Sequence, residues 1–216
     1  VDGAANFAAD VTFADGADII TASAGTDNVR IGANAGNSIT SGGNQNVVIG
    51  KDAGTALTTG DDNVAIGFSS LATEDTGGQS TAVGVQALRL QNNDAANYNT
   101  AVGYNAGGAV TTGTQNTLIG GLAGDALTDS DYNVALGYQA LMITATTGGN
   151  NVGVGRESLK RTTTGSHNTA IGTEALKENT SASNNTAVGY LALLSNTTGT
   201  QNTALGAYAL DAATTA

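Results

Sequence analysis

The sequence predicts an all-β fold in which one short unit repeats as the coils of a narrow solenoid. A five-residue segment ending in Gly occurs eleven times, and the steps between these glycines are 17 to 19 residues. Within each segment, β-branched or aliphatic residues alternate with a small residue, which is the period-two pattern of a strand. No helical pattern of about ten residues fits between the Gly-rich and Asn-rich clusters. A fixed short period is typical of repeat architectures.

The repeated segment has a fixed residue type at four of its five positions. It begins with Asn, replaced once by Ser80, has Val or Thr second and Ile, Val or Leu fourth, and ends with Gly. Seven of the ten steps between the glycines are 17 residues. We predict that the asparagines and glycines are structural positions; they are Asn28, Asn46, Asn63, Asn99, Asn116, Asn133, Asn151, Asn168, Asn185 and Asn202, and Gly32, Gly50, Gly67, Gly84, Gly103, Gly120, Gly137, Gly155, Gly172, Gly189 and Gly206.

Seventeen residues are enough for two short strands and two turns, which is one coil. Coils stacked at the interstrand spacing of about 4.8 Å would form a rod of roughly 50 Å from eleven units. We divide the chain into a lead-in segment (1–26), a repeat roll (27–210) and a tail (211–216) that we expect to continue into a further segment.

Stacking gives each repeated position a physical role. Asn can form a ladder of side-chain amides and tolerates left-handed backbone, and Gly suits a positive φ. We expect the Val/Thr and Ile/Val/Leu columns, which include Ile66, to form two apolar core stripes. An Ala or Ser three residues after each Gly marks a tight place. The longer steps around Gln91 to Asn97 and near Thr146 to Asn150 should bulge outward.

Composition excludes several function classes. Among 216 residues, 7 Lys and Arg stand against 18 Asp and Glu, and the formal net charge is −11. This charge opposes binding to nucleic acid and to anionic membrane surfaces. No apolar run reaches the 18 residues or more that membrane insertion requires. The absence of Cys excludes disulfides and thiolate metal sites.

Two segments carry a resemblance to a known family. The repeats Asn99 to Ala106 and Asn185 to Ala192 resemble the head repeats of trimeric autotransporter adhesins, and more closely the repeats in tail-fibre and structural proteins of tailed phages, notably marine ones. Val11 to Thr21 is similar to the lead-in segments of those phage proteins. The resemblance implies a left-handed parallel β-roll, a homotrimer, and a role in attachment to a surface. No membrane anchor and no C-terminal folding chaperone follow the repeats, so we expect a shaft or head segment.

The sequence predicts no catalytic residues, no metal site and no cofactor. His167 lies in a polar turn without a partner His or Cys, and Asp129 and Asp131 fit solvated turns. The glycan contacts that we nominate are all tyrosines, with burial of their rings as the alternative; they are Tyr104, Tyr138, Tyr190 and Tyr208.

These observations favour a non-enzymatic attachment protein, the shaft or head of a phage tail fibre, located on the virion. It would partner with its own copies and with a host cell-surface glycan or protein. The first alternative is the head of a bacterial trimeric adhesin at the cell surface. An ice-binding solenoid and a polysaccharide-cleaving β-helix enzyme are further alternatives. Ice binding would favour Thr at i and i+2 of a strand, whereas the Thr pairs here are adjacent.

Overall fold

The computed structural model describes residues 24–143 and 148–214. They contain eleven strands of three residues, and each strand pairs in parallel with the next to form one sheet in chain order. The register advances by one repeat per strand, so that Val64 lies beside Thr81. A parallel β-solenoid is therefore confirmed. The strands are β1 Val29–Ile31, β2 Val47–Ile49, β3 Val64–Ile66, β4 Thr81–Val83, β5 Thr100–Val102, β6 Thr117–Ile119, β7 Val134–Leu136, β8 Val152–Val154, β9 Thr169–Ile171, β10 Thr186–Val188 and β11 Thr203–Leu205.

Each described coil contains one strand, so the predicted second strand is wrong. The remainder of the coil consists of turns whose backbone still bonds to the next coil, as where Gly54 N donates to Ser70 O at 2.9 Å. Recurring left-handed residues bend this part of the chain. Asp52 and Gln86, each two residues after a repeat Gly, have φ of 57° and 61°. Such residues interrupt the extended backbone that a strand needs.

The first and third residues of each strand, which we expected in the core, point outward. The middle residue faces the interior, and Val48, Ala65 and Leu118 are fully buried. The flanking residues point outward, and Ile66 is only half-buried. Alternate strand residues lie on opposite faces, and the narrow coil has room for mostly small residues inside. The two predicted core stripes therefore lie on the outer face.

The core is built from the Ala/Ser column and one larger apolar residue per coil. The tight column is confirmed, because Ala53, Ser70 and their equivalents are buried in the first ten coils. The next residue is left-handed in every coil and is Leu in seven coils and Gly in four. Where it is Leu, as at Leu71 or Leu176, the Leu side chain fills the core in every coil except the last, in which Leu210 is exposed. Where it is Gly, as at Gly54, a residue three positions later fills the core instead.

The Leu coils and the Gly coils also differ at the position three residues after this Leu or Gly. The four residues that replace the core Leu after Gly are Ile39, Leu57, Val110 and Leu127, and all are buried. At the same position, six of the seven Leu coils carry polar residues such as Glu74 and Asn179. A Cβ on Gly124 would lie 2.6 Å from Cδ2 of Leu118, the middle residue of β6. The large Leu118 side chain therefore fits because position 124 is Gly. The interior thus stays filled although the sequence of the coils changes.

The Asn ladder is confirmed, with one change in its reason. Asn46 N donates to Asn28 Oδ1 at 2.9 Å, and Asn46 Nδ2 donates to Gly60 O at 2.8 Å. The next coil repeats this pattern, with Asn63 N donating to Asn46 Oδ1 at 2.9 Å. The left-handed residue is not the Asn but the residue before it, such as Gln45 or Asp62. Asn therefore serves the buried amide ladder.

The Gly column is confirmed as structural. These glycines have φ between 122° and 140°. A Cβ on Gly67 would lie 2.4 Å from the carbonyl oxygen of Gly84 in the next coil. Both the backbone conformation and the close approach of neighbouring coils require Gly here.

The longest coil turns two of its polar residues inward, contrary to the predicted outward bulge. Asp94 to Ala96 are exposed as expected, but Gln91 and Asn97 are fully buried. Both donate to Glu74 Oε2, at 2.9 and 3.0 Å. Burial raises the pKa of Glu74, and the hydrogen bond from Gln91 opposes that rise. Gln91 Nε2 also donates to Ser80 Oγ at 2.9 Å, so Gln91 supplies the amide missing where Ser80 replaces Asn.

Most of the predicted lead-in segment (1–26), including Val11 to Thr21, lies outside the described residues, as do Thr146 and Thr147 of the second longer step and the last two residues of the tail.

Candidate interaction surfaces

The outer face of the sheet is a continuous apolar stripe. The third residue of every strand is Ile, Val or Leu, and none of these residues is buried. The first strand residue, half-buried in ten coils, is Val or Thr. Eleven coils at about 4.8 Å, with a stripe roughly 10 Å wide, present about 500 Å² of mostly apolar surface. This is at the upper end of what monomeric soluble proteins expose.

The residue after each repeat Gly forms a column beside this stripe that is exposed in nine of the eleven coils. Phe68, Tyr104 and Tyr138 are all exposed, and Lys51 Nζ lies 5.8 Å from the centroid of the Phe68 ring. The four nominated tyrosines do not form one cluster. Tyr104 and Tyr138 are two coils apart, and Tyr190 packs edge-to-face on Tyr208 at 5.3 Å.

A third exposed column lies at the left-handed residue immediately before each repeat Asn or Ser80. All eleven residues are exposed; they are Asp27, Gln45, Asp62, Gln79, Tyr98, Gln115, Tyr132, Asn150, His167, Asn184 and Gln201. The sequence reasoning singled out His167 as a solvated loop residue but missed Tyr98 and Tyr132. Their shared position in the repeat could have identified them, because it places both rings on one edge of the solenoid.

Tyr132 borders a notch with a volume of about 250 Å³. The other lining residues are Asp129, Ser130, Asp131, Gly149, Asn150 and Ser166. Asp131, Gly149 and Ser166 occupy the same position in three successive coils, and Gly149 contributes no side chain between its neighbours. Asp131 is held in place by Thr114, whose N and Oγ1 donate to Asp131 Oδ1 at 2.7 and 3.0 Å.

Charged side chains are concentrated on coils eight and nine. Four of the seven basic residues lie between Arg156 and Lys177. Glu157 Oε2 pairs with Lys177 Nζ at 2.7 Å and with Lys160 Nζ at 3.5 Å, and Arg156 pairs with Glu174. The hydrogen bond from Lys177 holds the pKa of Glu157 below its usual range and raises the pKa of Lys177. The Glu157–Lys177 and Arg156–Glu174 pairs join the two neighbouring coils, and we call this group of ion pairs the clasp.

Within 24–143 and 148–214, no three His, Cys, Asp or Glu side chains converge in a way that could hold a metal ion. No helix in the same ranges is long and apolar enough to span a membrane. Comparison with protein-family models, with curated proteins and with solved structures gave no match.

Proposed function

We propose that this chain is a non-enzymatic structural and attachment protein, the shaft or head of a phage tail fibre, which assembles as a homotrimer of left-handed rolls. The observation that carries the proposal is the exposed aliphatic face of the sheet. A soluble rod with such a face along its length gains from covering it.

Copies of this chain are the partners that best fit the face. The aliphatic column repeats at every coil, so an identical chain aligned in parallel matches it at each step of about 4.8 Å. Coverage by identical subunits follows the usual closed symmetry of soluble oligomers. The resemblance to trimeric adhesin heads favours three chains over two. Three parallel rolls would also present exposed columns three times, which converts weak contacts with a host surface into avidity.

The resemblance to phage repeats supports a location on a virion, with a host cell-surface glycan or protein as the partner. The alternative is a bacterial protein, in which the same trimer would form the head of a surface adhesin. In both settings the solenoid is a rigid support that holds exposed side chains in register.

One observation favours a second candidate, an ice-binding solenoid. Six strands present Thr at their outward first position; these are Thr81, Thr100, Thr117, Thr169, Thr186 and Thr203. The outward residue two positions later is aliphatic in each case, so Thr forms one column rather than the two that this function favours.

The test is the solution mass of the protein and of two matched variants, measured by light scattering after size exclusion. We expect the wild type at three times the chain mass of 21.1 kDa. Ile66→Asp places a charge on the apolar face and should give a folded monomer. Gln115→Asp adds the same charge on another face, in a column that already contains Asp62, and should remain trimeric.

A monomeric wild type would refute the trimer, and thermal hysteresis of its freezing point would then support ice binding. Loss of the β-type circular dichroism in Ile66→Asp would instead show that Ile66 is needed for the coil itself. A trimeric Ile66→Asp would exclude the strand face as the interface.

A further inference from the structure

The notch beside Tyr132 lies outside the glycan contacts that the sequence predicted. We propose that it binds one ring of a neutral sugar. The proposal rests on the attachment function above and specifies its ligand class and binding site.

Tyr132 is an unusual residue for its position. Tyr132 has φ of 60°, in the left-handed region that Asn and Asp tolerate better than an aromatic residue. Its side chain is 52% exposed, so neither backbone geometry nor core packing accounts for a ring at this position. An exposed ring beside a notch offers an apolar face on which the C–H groups of a sugar can stack.

The notch also contains a serine whose hydroxyl has no partner among the described residues. Ser130 lines the notch, is 3% exposed, and its Oγ has no hydrogen-bond partner among the described residues. Its backbone oxygen is already engaged, since Asn116 Nδ2 donates to it at 2.8 Å. Buried polar groups normally have partners. Because Ser130 Oγ is itself buried, it reaches a ligand only when its side chain turns into the notch, where the hydroxyl can serve as donor or acceptor.

The polar groups that line the notch suit a neutral sugar. Asp129, Asp131, Asn150 and Ser166 present carboxylate, amide and hydroxyl groups, which pair with sugar hydroxyls as acceptors and donors. No Lys or Arg is among the lining residues. Two carboxylates without a cation would repel a sugar acid, so the chemistry favours a neutral ring. A volume of about 250 Å³ is slightly below the usual range for small-molecule sites, which favours one ring in the notch.

The notch also has a structural origin that distinguishes it from the rest of this edge. Gly78 leaves a similar gap in its coil, because the equivalent residues on either side are Asp61 and Asn97. The residue that corresponds to Tyr132, one coil before Gly78, is Asp62, however, and the ring of Tyr98 lies one coil after that gap instead. Within the described coils, Gly149 and Tyr132 combine a missing side chain with an exposed ring one coil before it.

The experiment uses the full chain with methyl glycosides of glucose, galactose, mannose and N-acetylglucosamine as probes. Binding is measured by saturation-transfer NMR and by calorimetric titration. Tyr132→Asn removes the ring but keeps a residue that this column already contains at Asn150, so the coil should fold normally. We expect at least one glycoside to bind and Tyr132→Asn to weaken it roughly tenfold or more.

Two further variants test the details. Ser130→Ala should weaken binding without lowering the melting temperature, because it removes a hydroxyl that has no partner in the part of the chain that the structure describes. Tyr138→Ala is the matched control, since Tyr138 is also 52% exposed but lies in the column nominated from the sequence. It should bind the glycoside as the wild type does.

Absence of binding by all four glycosides, or equal binding by Tyr132→Asn and the wild type, would overturn the proposal. Loss of binding in Tyr138→Ala alone would move the sugar site to the other column. Stronger binding of methyl N-acetylneuraminic acid than of any neutral probe would refute the neutral-ring assignment. A failed trimer is detected by mass and a failed sugar site by the glycosides, so the two proposals fail separately.

Discussion

Replacement of Gly67 by Ala tests the close stacking of the coils. The substitution has two costs in the folded state. At φ of +132°, a residue with a Cβ is strained, which costs roughly 1–3 kcal/mol. The added Cβ would also lie 2.4 Å from Gly84 O and 2.6 Å from Gly84 C, both backbone atoms. Overpacking of this kind costs about 1–3 kcal/mol more.

The sum is a destabilisation of roughly 2–6 kcal/mol, which for a chain of this length lowers the melting temperature by about 5–20 °C. Thermal and urea unfolding followed by far-UV circular dichroism measures it. Repeat arrays do not always unfold in one step, so transition midpoints rather than extrapolated free energies should be compared.

Two other glycines provide matched controls. Gly121→Ala is in an interior coil, outside the positive-φ region, and its Cβ would meet only the Tyr138 ring at 3.6 Å; we expect a change within about 0.5 kcal/mol. Gly206→Ala has a similar φ of +122° but no atom within 4 Å of the new Cβ, so it separates strain from collision. If Gly67→Ala has the same melting temperature as Gly121→Ala, the coils are not stacked as closely as described.

Three further predictions concern the interior and the clasp. Asn116→Ala removes the partners of Asn133 N and Ser130 O and should cost about 2–5 kcal/mol in urea unfolding; an unchanged midpoint would exclude the ladder as a stabilising element. Leu176→Gly should cost roughly 2–5 kcal/mol, and adding Asn179→Leu should restore much of it by converting a Leu coil into a Gly coil; a double variant no better than the single one would refute the compensation. Lys177→Met should cost about 1 kcal/mol near neutral pH. Because the folded pKa of Glu157 is lowered, its stabilisation is present above its ordinary pKa of 4.5 and is lost as the pH falls through the lower folded value, so the difference between variant and wild type should shrink in acid; a constant difference would contradict the ion pair.

The outward direction of Ile66 shows where sequence reasoning about the fold reached its limit. The alternation in Val64 to Ile66 predicts a strand but is equally compatible with either face pointing inward. The interior of a narrow coil admits mainly small middle residues, so Ala65 takes the inside position. That choice depends on the curvature of the whole coil, which a three-residue pattern does not contain.

The exposed tyrosines show the same limit for the candidate sites. Tyr104 and Tyr138 were predictable because they follow the repeat Gly directly, and the structure exposes both. The notch at Tyr132 depends on Ser130, Gly149 and Ser166, which come from three coils and meet only after stacking. No local motif identifies such a site.

By itself, the sequence determined the period of the coils, their parallel stacking and the columns of Asn, Gly and Ala, because each of these repeats at a fixed spacing along the chain. The tertiary structure alone decided which side of each strand is buried, that a coil contains one strand rather than two, and which side chains meet across coils. The physical reason is that stacking at about 4.8 Å brings together residues 17 or more positions apart. The contacts between these residues depend on the radius and the turns of the coil. A short stretch of sequence is therefore not enough to predict them.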